Sequence, residues 1–382
     1  MKDKISPGLL SIFRSRAAIK IKGLKLIDLV VGTALSCVLP MKKNNLNGSQ
    51  EIRRLLVIRP GGIGDAVFLM AVLKKVKERH PRMTIDILCE SRNAGVFHLE
   101  RSLFQKIFLY DHPADLFALY KNRYDTLVDT EQWHYLSAVA GYFVSSRHST
   151  GFATRRLRAK LFSEPVPYDG QGYELDNFKR LFAFILKDSG PADINGCLMP
   201  EKTFCQPEAG GVRGCVAVSI GASIEARRLS SSQYLLMIRK FLEKNIGVNL
   251  VGGTDVRNFG KTIEEEISDR RLKNFVGATA LAETAAVIRR SRAFIGPDSG
   301  LAHLACALGV PVIAFFGPGQ VNKWRPAGEI HKTISVNLAC SPCTMFGYTI
   351  PVCHGAYPCL RGIDMEKVLD HHFFQKNPAV IR

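Results

Sequence analysis

The N-terminal region lacks an apolar run long enough to cross a membrane. Residues 29–39 carry no charged side chain, but a membrane-spanning helix requires ~20 apolar residues. No clear small-x-small cleavage site follows the run, so we do not predict a signal peptide. Two interpretations remain: a basic interfacial helix on an anionic membrane surface, or a helix packed on the first domain. The basic residues that flank the run are Lys20, Lys22 and Lys25 before it and Lys42 and Lys43 after it.

Acidic residues are scarce relative to basic ones. The chain has 52 Lys and Arg residues against 34 Asp and Glu residues, which gives a net charge of +18. Such a charge attracts nucleic acids, anionic membranes or phosphorylated substrates without choosing among them. Because no helix-turn-helix, RRM or KH signature is present, net charge alone motivates the alternative of a nucleic-acid-binding protein.

The fingerprint of a dinucleotide-binding loop is also missing. The strand predicted at residues 53–58 is followed by Gly61-Gly62-Ile63-Gly64 and not by Gly-x-Gly-x-x-Gly. No acidic ribose partner stands at the end of a clear second strand, which counts against an NAD-linked oxidoreductase. We expect Gly61, Gly62 and Gly64 to form a loop that a substrate approaches closely.

Most of the ten cysteines are dispersed along the chain, a pattern more typical of buried thiols in a reducing compartment than of a disulfide framework. Only the last four have a metal-like spacing, and the second pair is wider than in a usual zinc knuckle. We expect a structural loop and no metal, with zinc as the minority interpretation. These four are Cys340, Cys343, Cys353 and Cys359.

Apolar strand patterns alternate with helical patterns along most of the chain, which predicts an α/β fold with parallel sheets. A length of 382 residues is enough for two domains. A loop rich in Gly and Pro at residues 189–214 marks the boundary between them. We predict an N-terminal extension at 1–45, a first domain at 46–200, a second domain at 211–360 and a C-terminal helix at 361–382.

A strand–loop–helix–strand unit at residues 293–318 is the most distinctive part of the chain. Asp298-Ser299-Gly300 ends an apolar strand and begins a helix of small residues, which is predicted to end at Gly309. Asp298 or Ser299 would cap this helix. Its free backbone N–H groups would favour an anion such as a diphosphate.

Asp298-Ser299-Gly300-Leu301-Ala302-His303 resembles the donor-binding signature Asp-Ser/Thr-Gly-x-x-His of glycosyltransferase family 9. This is the bacterial heptosyltransferase family of lipopolysaccharide core assembly. The resemblance extends over roughly residues 55–369. It implies a GT-B fold, in which two Rossmann-like domains with parallel sheets face a central cleft and the C-terminal helix crosses back to the first domain.

The resemblance also implies roles for individual residues. Asp65 occupies the place of the proposed catalytic base of the family, and the role of a helix cap is compatible with it. Arg227 or Arg228 takes the place of a Lys that binds the donor phosphates, and Asp255 or the backbone replaces a Glu that holds the ribose. The expected donor- and phosphate-binding residues are Ser223, Arg227, Arg228, Asp298, Ser299, Gly300, Leu301 and His303.

These roles imply an inverting transferase that moves a sugar onto the lipopolysaccharide core or a related lipid-linked glycan. The first candidate for the sugar is heptose, with ADP-heptose as the donor. Another nucleotide sugar stays open as an alternative. The nucleotide-sugar donor is expected to suffice without a further cofactor. The expected partners are this donor, the lipid-linked glycan and an anionic membrane surface, but no nucleic acid. We expect a cytoplasmic monomer, peripherally associated with the inner face of the inner membrane.

Overall fold

The computed structural model describes residues 27–43, 51–187, 192–199, 214–344, 353 and 356–374. Two six-stranded sheets organise these residues, and every strand pair in them is parallel. The first sheet belongs to residues 51–187, the first half, and the second sheet to residues 214–374, the second half. The strands are β1 (Arg54–Arg59), β2 (Thr84–Cys89), β3 (Lys106–Leu109), β4 (Arg123–Asp129), β5 (Ser145–Phe152), β6 (Glu164–Val166), β7 (Val216–Ser219), β8 (Val248–Val251), β9 (Leu272–Asn274), β10 (Phe294–Pro297), β11 (Val312–Phe316) and β12 (Lys332–Ser335).

Helices connect the strands in both halves. A π-helical turn at Asp28–Gly32 precedes the first helix, and another at Asp370–Phe374 follows the last. The helices are α1 (Thr33–Val38), α2 (Ile63–Arg79), α3 (Ala94–His98), α4 (Pro113–Tyr120), α5 (Tyr135–Phe143), α6 (Arg156–Ala159), α7 (Glu174–Leu181), α8 (Ala183–Leu186), α9 (Ser231–Glu243), α10 (Arg257–Ile267), α11 (Leu281–Arg290), α12 (Gly300–Ala307), α13 (Val321–Trp324), α14 (Pro358–Arg361) and α15 (Met365–Leu369).

Both sheets have the same strand order. The first runs β3-β2-β1-β4-β5-β6, and the second, read from its other edge, runs β9-β8-β7-β10-β11-β12. This is the Rossmann order, in which the chain changes direction between the first and fourth strands and ligands bind beyond the carboxyl ends of those strands. The predicted architecture of two Rossmann-like units is confirmed. The limits predicted for the domains stay a prediction.

The apolar core is continuous between the two halves. A single buried cluster includes Phe68 and Val72 on α2 together with Leu304 on α12 and Phe316 on β11. At the same interface the Phe68 ring lies 5.9 Å from the Trp324 ring, centroid to centroid. Burial of apolar surface on both sides therefore fixes how the halves are placed.

The N-terminal segment, residues 27–43, packs along α5 of the first half. At one end of this helix, Asp28 Oδ1 accepts a hydrogen bond from the Leu136 N–H at 2.7 Å. At the other end, Lys42 Nζ donates to the carbonyls of Gly141 and Tyr142, both at 3.3 Å. An acid thus binds the N-terminus of α5 and a cation its C-terminus, the arrangement that complements a helix dipole. The interpretation as a helix packed on the first domain is thus realised for these residues. Among the described residues, no helix has both the length and the apolar character needed to cross a membrane.

The C-terminal helical residues pack on the second half. The Phe373 ring lies 4.9 Å from that of Phe241 on α9, and Lys240 on the same helix pairs with Glu366 at 3.2 Å. The resemblance implied that this helix crosses back to the first domain. Residues Met365–Phe374 bury their apolar face against α9, and residues 375–382 lie outside the described part of the chain, so the crossing stays a prediction.

Candidate functional site

The two loops predicted from the sequence meet where the halves face each other. The loop after β1 leads into α2, whose second residue is Gly64, and the loop after β10 leads into α12, whose first residue is Gly300. A Cβ atom added at Gly64 would lie 2.8 Å from His303 Cδ2, and one added at Gly300 would lie 2.8 Å from Ile63 Cβ. Only glycine permits this approach, since real Cβ contacts are longer. The two switch points of the sheets therefore share one site.

The start of α12 leaves backbone donors facing this site. The first hydrogen bonds of the helix run from the N–H groups of Ala302 and His303 to Ser299 O, at 3.1 and 3.4 Å. The N–H groups of Gly300 and Leu301 precede them and are the unsatisfied donors of a helix N-terminus. Ser299 occupies the N-cap position, but its side chain makes no capping hydrogen bond. This helix end therefore suits an anionic ligand.

Arg227 and Arg228 face different partners. Arg227 lies in a 3₁₀ turn after β7, and its Nη1 is 3.3 Å from Asp298 Oδ2 in the loop before α12. Arg228 Nη2 instead donates to Asp255 Oδ2 at 2.7 Å and to the Ala222 carbonyl at 3.0 Å. Arg227 is thus the cation beside the Asp298–Leu301 loop, and Asp255 is held by Arg228.

Asp298 and His303 are buried beside Arg227. Burial raises the pKa of the Asp298 carboxyl, and the Arg227 guanidinium opposes that rise. Burial and then the charge of Arg227 lower the pKa of His303 to about 3. The imidazole is therefore neutral at physiological pH, and it packs on Phe68 with 4.8 Å between ring centroids. A neutral ring next to Gly64 shapes the site without adding charge.

Asp65 lies in the first turn of α2, next to Gly64, which faces His303. Its Oδ1 accepts a hydrogen bond from Gln132 Nε2 at 3.3 Å. Gln132 follows β4 and α2 follows β1, so the two residues lie beyond the carboxyl ends of the two central strands of the first sheet. The Gln132 Oε1 atom accepts from Arg59, with both Nη atoms 3.4 Å away. Asp65 therefore has one carboxylate oxygen held by a fixed amide.

The remaining predicted residues lie around these groups. Gly61 has φ of +111°, a conformation that favours glycine, and its Cα faces the buried Arg59 guanidinium. Gly62 is the N-cap residue of α2. Ser223 lies exposed in the loop between β7 and the Arg227 turn.

The C-terminal cysteines do not form a metal centre in this geometry. Within the described residues, which include Cys340, Cys343, Cys353 and Cys359, no group of three or more His, Cys, Asp or Glu side chains could hold a metal ion. These four cysteines are free thiols. The minority interpretation as a zinc site gains no support here.

Sequence patterns did not reveal a buried charged group at this site. Lys323 on α13 pairs with Glu174 on α7 at 2.8 Å, and the two side chains are 1% and 0% exposed. Glu174 Oε1 also accepts from Gln132 Nε2 at 2.7 Å. Gln132 lies just after the segment 127–129, which the sequence predicts as a strand. This position is the available signal, because residues beyond the carboxyl ends of central parallel strands form sites. Glu174 and Lys323 carry no such local pattern.

Comparisons with known proteins identify relatives by sequence. The family model for glycosyltransferase family 9 (heptosyltransferase) matches residues 117–349, a range that includes Arg227 and the Asp298–His303 loop but begins after Asp65. The chain is 36% identical over 313 residues to lipopolysaccharide heptosyltransferase 1 of Pseudomonas aeruginosa, covering 76% of this chain and 86% of that relative.

Two solved structures share the fold at low sequence identity. The family 9 glycosyltransferase of Veillonella parvula superposes with a TM-score of 0.70 at 16% identity, over 86% of this chain and 97% of the other. The E. coli ADP-heptose lipopolysaccharide heptosyltransferase II gives a TM-score of 0.65 at 18% identity, over 83% and 96%.

Proposed function

The chain belongs to glycosyltransferase family 9, and from this membership we propose that it transfers heptose from ADP-heptose to the lipopolysaccharide core or a related lipid-linked glycan. The observation that carries the proposal is the close approach of α2, whose first turn carries Asp65, to the N-terminus of α12, where Gly64 faces His303 and Gly300 faces Ile63. The names of the E. coli and Pseudomonas aeruginosa relatives supply the sugar, the nucleotide and the class of acceptor.

Asp65 acts as the base in this proposal. The acceptor hydroxyl attacks the anomeric carbon from the side of the first half, and the Asp65 carboxylate accepts its proton as the new glycosidic bond forms. The bond to the diphosphate breaks on the opposite side of that carbon. A single displacement of this kind inverts the anomeric configuration.

The second half stabilises the leaving group. The Arg227 guanidinium and the N–H groups of Gly300 and Leu301 face the position at which negative charge develops on the departing diphosphate. A guanidinium can contact two phosphate oxygens at once, so Arg227 supplies charge and orientation together. With these donors the nucleotide sugar needs no further cofactor.

Another nucleotide sugar is the second candidate. Asp255, a possible ligand for the ribose, is engaged by Arg228 at 2.7 Å, and Val256 follows it. The backbone of the second half then recognises the nucleotide. The identity of the donor is therefore less well defined than the type of reaction.

The test compares Asp65→Asn with the natural protein. We expect turnover of ADP-heptose with a lipid-linked core acceptor to fall ~10²-fold or more, because the base is lost while the shape is kept. ADP binding, measured by calorimetry, should stay within about threefold. A panel of other nucleotide sugars, assayed in parallel, identifies the second candidate.

Asp176→Asn is the matched control, since Asp176 is a half-exposed carboxylate of the same half that pairs only with Lys179 on its own helix. Its turnover should be normal. Normal turnover of Asp65→Asn as well would remove Asp65 from the mechanism.

We further propose that the N-terminal segment docks on the inner, cytoplasmic face of the inner membrane. Its packed face binds α5, and its outer face presents a group of apolar side chains to solvent. The exposed Lys43 follows this face, and the positive charge of the chain favours an anionic leaflet, where each Lys or Arg adds ~1 kcal/mol of attraction. The exposed side chains are Leu29, Val30, Val31, Val38 and Met41.

Flotation with lipid vesicles tests this docking. The protein should float with phosphatidylglycerol-containing vesicles, less so as salt is raised because screening weakens the attraction, and hardly at all with pure phosphatidylcholine. The double variant Val30→Ser/Val38→Ser should float several-fold less. Phe117→Ser, which removes an exposed aromatic residue of α4, should float normally. Equally poor flotation with both kinds of vesicle would exclude the membrane role.

A further inference from the structure

The surroundings of Glu174 are those of an ionised carboxylate. Its Oε1 accepts from Gln132 Nε2 at 2.7 Å. Its Oε2 accepts from the Tyr168 hydroxyl at 2.8 Å and from Asn177 Nδ2 at 3.3 Å, and it pairs with Lys323 Nζ at 2.8 Å. Gln132 Nε2, Asn177 Nδ2 and the Lys323 ammonium can only donate, so a protonated Glu174 could direct its hydrogen only at the Tyr168 hydroxyl, which would then lose its own hydrogen bond to the carboxylate. The carboxylate is therefore the form that this site accommodates.

Gln132 has only one side-chain orientation that satisfies its neighbours. Its carbonyl oxygen faces the Arg59 guanidinium, 3.4 Å from each Nη. Its amide nitrogen faces two carboxylates, Glu174 at 2.7 Å and Asp65 at 3.3 Å. An amide nitrogen has two hydrogens, one for each carboxylate. The hydrogen bond to Glu174 thus determines where the second hydrogen points, and that is towards Asp65.

Lys323 is the contribution of the second half to this network. It lies on the short helix α13 after β11, and its side chain enters the first half, where Nζ also donates to the carbonyls of Asp169 at 3.2 Å and Gly172 at 3.4 Å. These carbonyls precede α7, which begins at Glu174. The ammonium group is placed on Glu174 only when the two halves are docked.

We propose that Lys323 is a positioning residue for Asp65, which acts through Glu174 and Gln132 and so couples the docking of the two halves to the orientation of the base. The proposal rests on the role of Asp65 in the proposed function. Lys323 holds Glu174 ionised, ionised Glu174 holds the Gln132 amide, and the amide holds the Asp65 carboxylate. Without Lys323 the buried Glu174 takes up a proton and this orientation is lost.

The charges around Glu174 define the expected pH dependence. It faces Lys323 from α13, Asp65 from α2, Arg59 from β1 and the Tyr168 hydroxyl from the loop before α7. Burial raises the pKa of Glu174, Asp65 adds to the rise, and Lys323 opposes it. Removing Lys323 therefore moves protonation of Glu174 to higher pH.

Lys323→Met tests the coupling by kinetics. We expect kcat to fall about 10-fold or more with the donor KM within about threefold, since the base is misplaced while the donor loop is intact. The acid limb of the kcat–pH profile should shift upward by about one pH unit. Lys323→Arg keeps the positive charge, so it should recover most of the loss in kcat and most of the shift of the acid limb. Lys240→Met, which breaks the pair with Glu366 on the surface of the second half, should change neither.

A spectroscopic measurement does not depend on turnover. In pH-difference infrared spectra, the band of the protonated Glu174 carboxyl is identified by its absence from Glu174→Gln. As the pH is lowered, this band should appear at a higher pH in Lys323→Met than in the natural protein. If Lys323→Met fails to fold because an unpaired carboxylate is left buried, the double variant Glu174→Gln/Lys323→Met removes both charges. It should fold, have low kcat and lack the band.

The outcomes separate this proposal from the proposed function. An unchanged acid limb in Lys323→Met, with a loss of kcat no greater than that of Lys240→Met, would overturn the positioning role. So would a Glu174 band at the same pH in Lys323→Met and the natural protein. If instead no nucleotide sugar is turned over by the natural protein, the proposed function fails, while the infrared result still decides whether Lys323 controls Glu174.

Discussion

Two neighbouring arginines have different surroundings, although either could replace the phosphate-binding Lys of the family. Arg227 lies against Asp298, next to the N-terminus of α12, where a diphosphate would bind. Arg228 is engaged by Asp255 and by the Ala222 carbonyl. A substitution at each position therefore tests the donor site.

We expect Arg227→Ala to weaken ADP binding by ~1.5–3 kcal/mol, on the order of 10- to 100-fold in Kd, because a charge-assisted contact is lost. Arg228→Ala should change the Kd less than about threefold. Isothermal titration calorimetry on both variants provides the measurement. Equal losses would contradict the assignment, and no loss in either would place the phosphate contact elsewhere.

Site residues could be predicted from the sequence where they form a contiguous motif. Asp298, Ser299, Gly300 and His303 lie within one short loop and helix turn, so their spacing fixes their relative positions before folding is considered. Lys323 lies far along the chain from the residues it contacts, and only the docking of the halves brings it to them. No local pattern marks a contact of that kind.

At the level of the elements, the close approach of α2 and α12 depends on two glycines. A methyl group at position 64 would overlap the His303 ring, whose Cδ2 would lie 2.8 Å from the new Cβ. Either the ring or the second half must shift, and in a packed interface such overpacking costs about 1–3 kcal/mol.

Gly64→Ala should therefore lower the free energy of unfolding by about 1–3 kcal/mol and reduce kcat more than 10-fold, since small misplacements of reacting groups are costly. Urea denaturation and steady-state kinetics measure the two effects. The control is Gly170→Ala, because a Cβ at Gly170 has nothing within 4 Å. If Gly64→Ala behaves like that control, α2 and α12 are further apart in solution than in this structure.

Elements were predicted well where apolar runs have clear limits. The apolar run at 312–316 predicts a strand and the helical pattern at 281–290 predicts a helix, and both are observed, as Val312–Phe316 and Leu281–Arg290, because glycine, proline or a capping position bounds each. The helical pattern at 171–188 predicts a single helix, but it divides into α7 and α8 at Phe182, where ψ is 7°. The apolar pattern continues through that break, so periodicity could not reveal it.

For the whole molecule, acid should destabilise the fold through buried neutral histidines. The His331 Nδ1 accepts a hydrogen bond from the Val312 N–H at 3.2 Å, and burial lowers the pKa of His331 to about 4. The unfolded chain, with an ordinary His pKa near 6.5, binds a proton that the folded chain does not. The stabilisation is thus present above about pH 6.5 and is lost as the pH falls towards 4.

Between pH 7 and pH 4.5 the natural protein should lose about 2–3 kcal/mol more of its unfolding free energy than His331→Gln. Urea denaturation at the two pH values measures the difference. His112→Gln, at an exposed position, should follow the natural protein. Parallel losses in all three proteins would show that His331 is protonated in the folded state.

The overall architecture was predictable because β/α alternation permits few arrangements, and the repeated Rossmann order is one of them. The docking of the halves was not predictable, since it depends on contacts such as those of Phe68 with His303 and Trp324, which bring together residues far apart in the sequence.

The N-terminal segment holds α5 at both ends, through Asp28 and Lys42. A segment fixed at two points cannot swing like a flexible tether. If its outer face rests on the bilayer, the segment attaches the first half rigidly to the membrane. The angle between this segment and the first sheet then sets the direction in which the cleft opens relative to the lipid surface. The acceptor sugar would then be met at one fixed height above the membrane, so the length of the glycan already built, as well as its chemistry, would select the substrate.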